Sequence, residues 1–187
     1  MDHDHKLEEK YEGLMPDAII FAFNAHSGQY RKDYPMQYII HPLRVSEFLL
    51  KNFSSHPEIS SMRIAAVLHD TVEDTWVTEN DVEEKFGKKI SSLVRELTHP
   101  DIADKKEMHE KYIRSLRESS DESKIIKLAD IFDNVVLSTD DTKKWRHFIK
   151  SCKELLESLE LREKNKTYEN LKSELLNILE EKLRQHE

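Results

Sequence analysis

A chain of 187 residues with 37% hydrophobic and 35% charged side chains can bury a real core as one domain, and its composition is not that of a disordered protein. Its formal net charge of −8 argues against a protein that coats nucleic acid, which needs a broad basic face. No apolar run reaches the ~20 residues that span a bilayer, and no signal peptide is recognisable, so a soluble, cytoplasmic protein is expected.

Three glycines and five prolines are few for a sheet-and-turn protein. Leu, Glu and Lys are the commonest residues, and these favour helices. The expected fold class is therefore all-α. Cys152, the one cysteine, allows no internal disulfide.

Residues 1–13 are polar and read as a frayed, solvated start, with Asp2-His3-Asp4-His5 at most a weak chelator. From 16 to 25 the chain is apolar nearly all round, as a central helix would be, with Pro16 in its first turn and Gly28 available to end it. A short loop follows, carrying the adjacent cations Arg31 and Lys32, which by themselves read as surface charge. Residues 38–40 are apolar and read as extended. His41 precedes Pro42, which suits the start of a helix over 42–51, so His41 should stand at that helix's mouth.

After a loop over 52–60, the next expected helix, 61–73, is the one around which the site is organised. The apolar Ala65-Ala66-Val67-Leu68 leads directly into His69, Asp70, Glu73 and Asp74. On a helix His69 faces Glu73 and Asp70 faces Asp74, one turn apart. Charges at the end of a buried segment are costly unless paired, so this is either a helix emerging into solvent or a cation site.

Thr78 followed by Asp81 predicts a helix start, with the helix running to Gly87. Ile90, Leu93, Val94 and Leu97 give 88–97 an amphipathic stripe. A break precedes a helix over 107–119. The next helix, 123–137, is apolar round most of its circumference, yet carries Asp130 and Asn134 one turn apart. A buried Asp130 needs a cation, either Lys127 three residues before it or a metal. Two long amphipathic helices, 142–160 and 167–184, either pack as an antiparallel pair on the rest or supply a homodimer interface.

Four polar side chains are thus forced into apolar surroundings: His41, His69, Asp70 and Asp130. Two imidazoles and two carboxylates suit a borderline divalent ion such as Mn²⁺, Fe²⁺ or Zn²⁺, with places left for water and substrate. Glu73 and Asp74, one turn beyond, are placed to orient or deprotonate a water.

The order H…HD…D resembles that of the HD metal-dependent phosphohydrolase superfamily. More specifically the chain is similar to the hydrolase domain of the RelA/SpoT homologues, which cleave the alarmone (p)ppGpp. AHSGQYRKD (25–33), YIIHPLRV (38–45), AAVLHDTVEDT (65–75) and KLADIFDN (127–134) carry the likeness in the family's order. It implies a single HD-type helical bundle over 1–187, with its core at about 16–140 and a C-terminal helix pair at about 142–184. It further implies His41, His69, Asp70 and Asp130 as ligands of Mn²⁺, and Glu73 and Asp74 as the pair that activates water. Arg31, Lys32 and Asn134 would be nucleotide contacts.

The implied reaction is removal of the 3′-pyrophosphate of ppGpp or pppGpp, giving GDP or GTP, by a stand-alone small alarmone hydrolase whose partner is a small nucleotide. Two departures touch the nucleotide side. Val135-Val136-Leu137 replaces a stretch that usually holds a cation and a hydrogen-bonding group, and residues 34–37 lack the usual glycine. Guanine against adenine preference therefore stays open, with (p)ppApp, NADPH, a general nucleotidase and an inactive binding module as alternatives.

Overall fold

In a computed structural model, residues 2–31, 36–137 and 142–185 are described, residues 2–9 and 137 by their backbone only. Among the described residues the regular structure is helical, in ten segments, apart from an isolated antiparallel bridge between Tyr30 and Gln37. The all-α expectation is met. The chain forms two compact units, Met1–Thr98 and His99–Glu187.

The first unit holds α1 (Asp2–Ala25), α2 (Ile40–Phe53), α3 (Ile59–Leu68), α4 (Thr71–Asp74), α5 (Glu79–Phe86) and α6 (Lys88–Leu97). At its centre is α3, which packs against α1, α2 and α6. Met62, Ile64, Val67 and Leu68 are fully buried, and so are the small Ser61, Ala65 and Ala66 between them. The small residues let neighbouring backbones come close, and α1 presents its own buried alanines, Ala18, Ala22 and Ala25, at helical spacing. Burying the four large side chains of α3 is worth on the order of 6–12 kcal/mol before the entropy of ordering them is subtracted.

Three local expectations are corrected. The first helix begins at Asp2, not Pro16, and Pro16 lies inside it. The strong helix formers of LEEKYEGL carry the helix through, and Pro16 is exposed, where a lost backbone bond can be made to water. Residues 38–40 are not extended. Ile40 N–H donates to Gln37 C=O at 3.2 Å and His41 N–H to Tyr38 C=O at 2.9 Å, winding the chain into α2 early. Pro42 still falls where helix donors have no intrahelical acceptor, so its missing N–H costs nothing.

The third correction bears on the site. The helix expected over 61–73 breaks at His69-Asp70 into α3 and α4. Side chains capture the carbonyls there: Thr71 Oγ1 donates to Leu68 C=O at 2.7 Å, and His69 Nδ1 meets Ala66 C=O at 2.7 Å. Asp74 N–H nonetheless donates to Asp70 C=O at 2.9 Å, so Asp70 and Asp74 keep their one-turn relation.

The start of α5 is as expected, with a full capping box. Thr78 Oγ1 accepts from Asp81 N–H, and the Asp81 carboxylate accepts from Thr78 N–H at 2.8 Å. Gly87 separates α5 from α6 with φ at 88°, a conformation that favours glycine.

The second unit holds α7 (Lys105–Glu118), α8 (Asp121–Leu137), α9 (Lys143–Ser158) and α10 (Lys166–Arg184). The centre here is α8, in contact with the other three, while α9 pairs with α10. Asp104 caps α7, accepting from the backbone of Lys106 and Glu107, and starts it two residues earlier than expected. No described helix is long and apolar enough to cross a membrane.

Candidate metal centre

In the first unit the site is built where α2 begins and α3 ends. His41 sits in the first turn of α2 and His69 just past the last residue of α3, and both rings are buried, at 2% and 3% exposure. Their centroids lie 5.2 Å apart at 67°, and one ring nitrogen of each lies within 4.8 Å of the other. Asp70 brings one oxygen to both: Oδ2 is 3.1 Å from His69 Nε2 and 3.7 Å from His41 Nε2.

These distances fix a chemical state. A carbonyl only accepts, so His69 Nδ1, 2.7 Å from Ala66 C=O, carries a proton. In the neutral ring, Nε2 then turns a lone pair toward a carboxylate oxygen 3.1 Å away. That arrangement is repulsive unless a proton or a metal cation lies between them. A backbone carbonyl on the far nitrogen is also the usual way a metal-binding imidazole is oriented. The donor set therefore fits a divalent cation.

Asp70 has a further partner that sequence reasoning missed. Tyr38 donates its hydroxyl to Asp70 Oδ2 at 2.6 Å and makes a longer 3.3 Å contact with Asp74 Oδ2. The spacing YIIH held the signal, since three residues span most of a helical turn, but it shows only if 38–40 is read as turning. Glu73 and Asp74 both reach the surface. The protein around Asp74, followed by the charges of Asp70 and Glu73, raises its carboxyl above the usual carboxylate range, against a lowering hydrogen bond from Tyr38.

In the second unit Asp130 lies on α8, at 4% exposure. Lys127 Nζ donates to its Oδ2 at 2.8 Å and Asn134 Nδ2 to its Oδ1 at 2.7 Å. The i, i+3 ion pair anticipated from the sequence is thus present. Asn134, expected to contact a nucleotide, turns its amide N–H toward Asp130. Arg31 is half-buried beside the Tyr30–Gln37 bridge, its N–H donating to Met36 C=O at 3.0 Å. Lys32 lies outside the described residues.

The HD domain family matches residues 18–159. Among curated proteins the chain is 37% identical over 121 residues to guanosine-3′,5′-bis(diphosphate) 3′-pyrophosphohydrolase MESH1 of Drosophila melanogaster, covering 64% of this chain and 66% of that one. It is 35% identical over 136 residues to guanosine-3′,5′-bis(diphosphate) 3′-pyrophosphohydrolase of Aquifex aeolicus, covering 71% of this chain but 18% of that protein. The chain thus spans less than two thirds of the length of these two relatives. The solved structure of a metazoan orthologue of SpoT that hydrolyses ppGpp superimposes with a TM-score of 0.71 at 31% identity, over 91% of this chain and 93% of the other. Such membership implies a divalent metal, and the His/Asp cluster it needs is in place. With a family match running through most of its length, this chain belongs to the HD domain family.

Proposed function

We propose that this protein is a metal-dependent alarmone hydrolase that removes the 3′-pyrophosphate of ppGpp or pppGpp, giving GDP or GTP and pyrophosphate. The observation that carries the reading is the likeness to the solved metazoan ppGpp hydrolase over nine tenths of both chains. The family match crosses both compact units, which supports their acting as one HD-type domain over 1–187.

His41, His69, Asp70 and Asp130 are the proposed ligands, and Mn²⁺ the leading ion, with Zn²⁺ and Fe²⁺ behind it. When bound, a divalent ion supplies a lowered water pKa and a counter-charge for the phosphate oxygens. The chain's own residues do the rest. Ala66 C=O, holding His69 Nδ1–H, keeps Nε2 aimed at the site. Glu73 and Asp74 orient the attacking water and take its proton, and a carboxyl raised above its usual range, as Asp74's is, is a better match to that task near neutral pH. Arg31 and Lys32 neutralise the substrate's phosphates, and Asn134 contacts the nucleotide.

Val136-Leu137, which stand where the family that the chain resembles usually has a cation and a polar group, favour a second reading: an adenosine alarmone or NADPH as substrate. A panel of ppGpp, ppApp, NADPH and simple 5′-nucleotides, each with Mn²⁺, Zn²⁺ and Fe²⁺, separates these readings. Release of pyrophosphate with GDP from ppGpp supports the proposal. Turnover of ppApp or NADPH in preference to ppGpp moves the substrate, and orthophosphate alone points to a general phosphatase.

A further inference from the structure

The contacts around Asp70 give Tyr38 a task of its own. We propose that Tyr38 is a positioning residue whose hydroxyl sets the metal-ligating carboxylate of Asp70 and ties it to Asp74. This rests on the reading above, in which Asp70 binds the ion and Asp74 handles the water.

Tyr38 is held along its whole length. Its backbone N–H donates to Gln29 C=O at 3.0 Å, and its C=O accepts from His41 N–H at 2.9 Å, so it is anchored to the turn before the site and to a proposed ligand after it. The His26 ring packs on its ring at a centroid distance of 4.7 Å, and the His41 ring lies edge-on to it at 5.9 Å. A ring so fixed delivers one hydroxyl proton to one place. That place is Asp70 Oδ2, at 2.6 Å, the same oxygen that stands 3.1 and 3.7 Å from the two Nε2 atoms. With one lone pair of that oxygen engaged by Tyr38, the carboxylate cannot rotate freely and its remaining electron density faces the imidazoles.

A second arm reaches the same short helix. Gln29 Nε2 donates to Asp74 C=O at 2.8 Å, which turns Gln29 Oε1 toward His26 Nδ1, also at 2.8 Å. Gln29 and Tyr38 thus hold the Asp74 backbone, the Asp74 side chain and Asp70 just before α4. Tyr38 is the member that touches both carboxylates, at 2.6 and 3.3 Å. A purely structural tyrosine would show its effect on the fold, whereas a positioning one shows it in metal affinity and in kcat.

Tyr38→Phe keeps the ring and removes the hydroxyl. Its Mn²⁺ affinity, measured by titration against the free ion, is expected to fall about 10–100-fold, the usual effect of losing a group that orients a ligand. At saturating Mn²⁺, kcat on ppGpp should drop while KM stays within about twofold, and the thermal midpoint without metal should hold. In an Asp70→Ala background, which leaves Tyr38 no acceptor at that position, Tyr38→Phe should weaken the residual Mn²⁺ binding no further, because it acts through that carboxylate. Unchanged Mn²⁺ affinity in Tyr38→Phe overturns the proposal, and so does a further loss of affinity in the double variant. A collapse of the metal-free thermal midpoint also overturns it, by making Tyr38 a folding residue. The wild-type protein is the control: if it neither binds Mn²⁺ nor cleaves ppGpp, the functional reading fails, whereas a competent wild type with an equally competent Tyr38→Phe sinks this inference alone.

Discussion

Asp70→Asn isolates the role of a single charge. The amide has nearly the shape of the carboxylate and can still accept from Tyr38, now 2.6 Å from Asp70 Oδ2. Without metal the substitution should not destabilise the protein, because Asp70 is one of the charges that raise the Asp74 carboxyl, and removing it relieves that repulsion. With metal the outcome reverses. A ligand present at about 100 times its Kd stabilises a protein by about 2.7 kcal/mol. A chain of 187 residues has an unfolding entropy of roughly 0.4 kcal/mol per kelvin, so wild-type protein should gain about 7 °C. If the lost charge weakens Mn²⁺ binding about 100-fold, the same metal concentration leaves about 0.4 kcal/mol, or about 1 °C. Thermal melts of both proteins, with and without Mn²⁺, read all four values. An equal metal-induced gain in wild type and Asp70→Asn would refute Asp70 as a ligand, and a fall of many degrees without metal would refute the repulsion argument.

Glu73→Gln should keep the metal-induced gain in Tm yet lose roughly 10²–10⁴-fold in turnover, as expected for removal of a general base; retained turnover in a product assay would move the task to Asp74. Burial pushes the Cys152 thiol up to about 12, with Lys127 lowering it and Asp130 raising it to lesser degrees. A thiol reagent at pH 8 should therefore leave native protein unmodified and react fully once the chain is denatured. Since the folded value is raised, the stability this thiol contributes is complete below the unfolded value of roughly 8.5 and declines as pH climbs toward the folded one. Thr78→Ala should cost about 1 kcal/mol by breaking the capping box, seen as a lower Tm. Thr78 holds the Asp81 carboxyl below its usual range, so that contribution is present above the unfolded value and is lost as pH falls through the folded one. The Thr78→Ala penalty should shrink accordingly in acid melts.

The helices were legible because their signals are local. Thr78 with Asp81, Gly87, and the stripe Ile90-Leu93-Val94-Leu97 mark starts, stops and faces without reference to distant residues. The break at His69-Asp70 was not, because it depends on side chains that can serve a helix or interrupt it. A threonine at 71 reads as neutral until its hydroxyl is seen on Leu68 C=O. Pro16 misled for a similar reason, since a residue that favours a first turn can be tolerated inside a long helix. His41, His69 and Asp70 were legible because ionisable groups stand out against apolar neighbours. Tyr38 was not, because a tyrosine among isoleucines looks like core. Its hydroxyl meets a carboxylate 32 positions further along the chain, which no local pattern shows.

The direct measurement is one incubation of Mn²⁺-loaded protein with ppGpp in ¹⁸O-labelled water, with products quantified and the label located by mass spectrometry. The account predicts GDP and pyrophosphate in equal amounts, with one ¹⁸O in pyrophosphate and none in GDP, because water attacks phosphorus. Intact ppGpp, or orthophosphate without pyrophosphate, would contradict it.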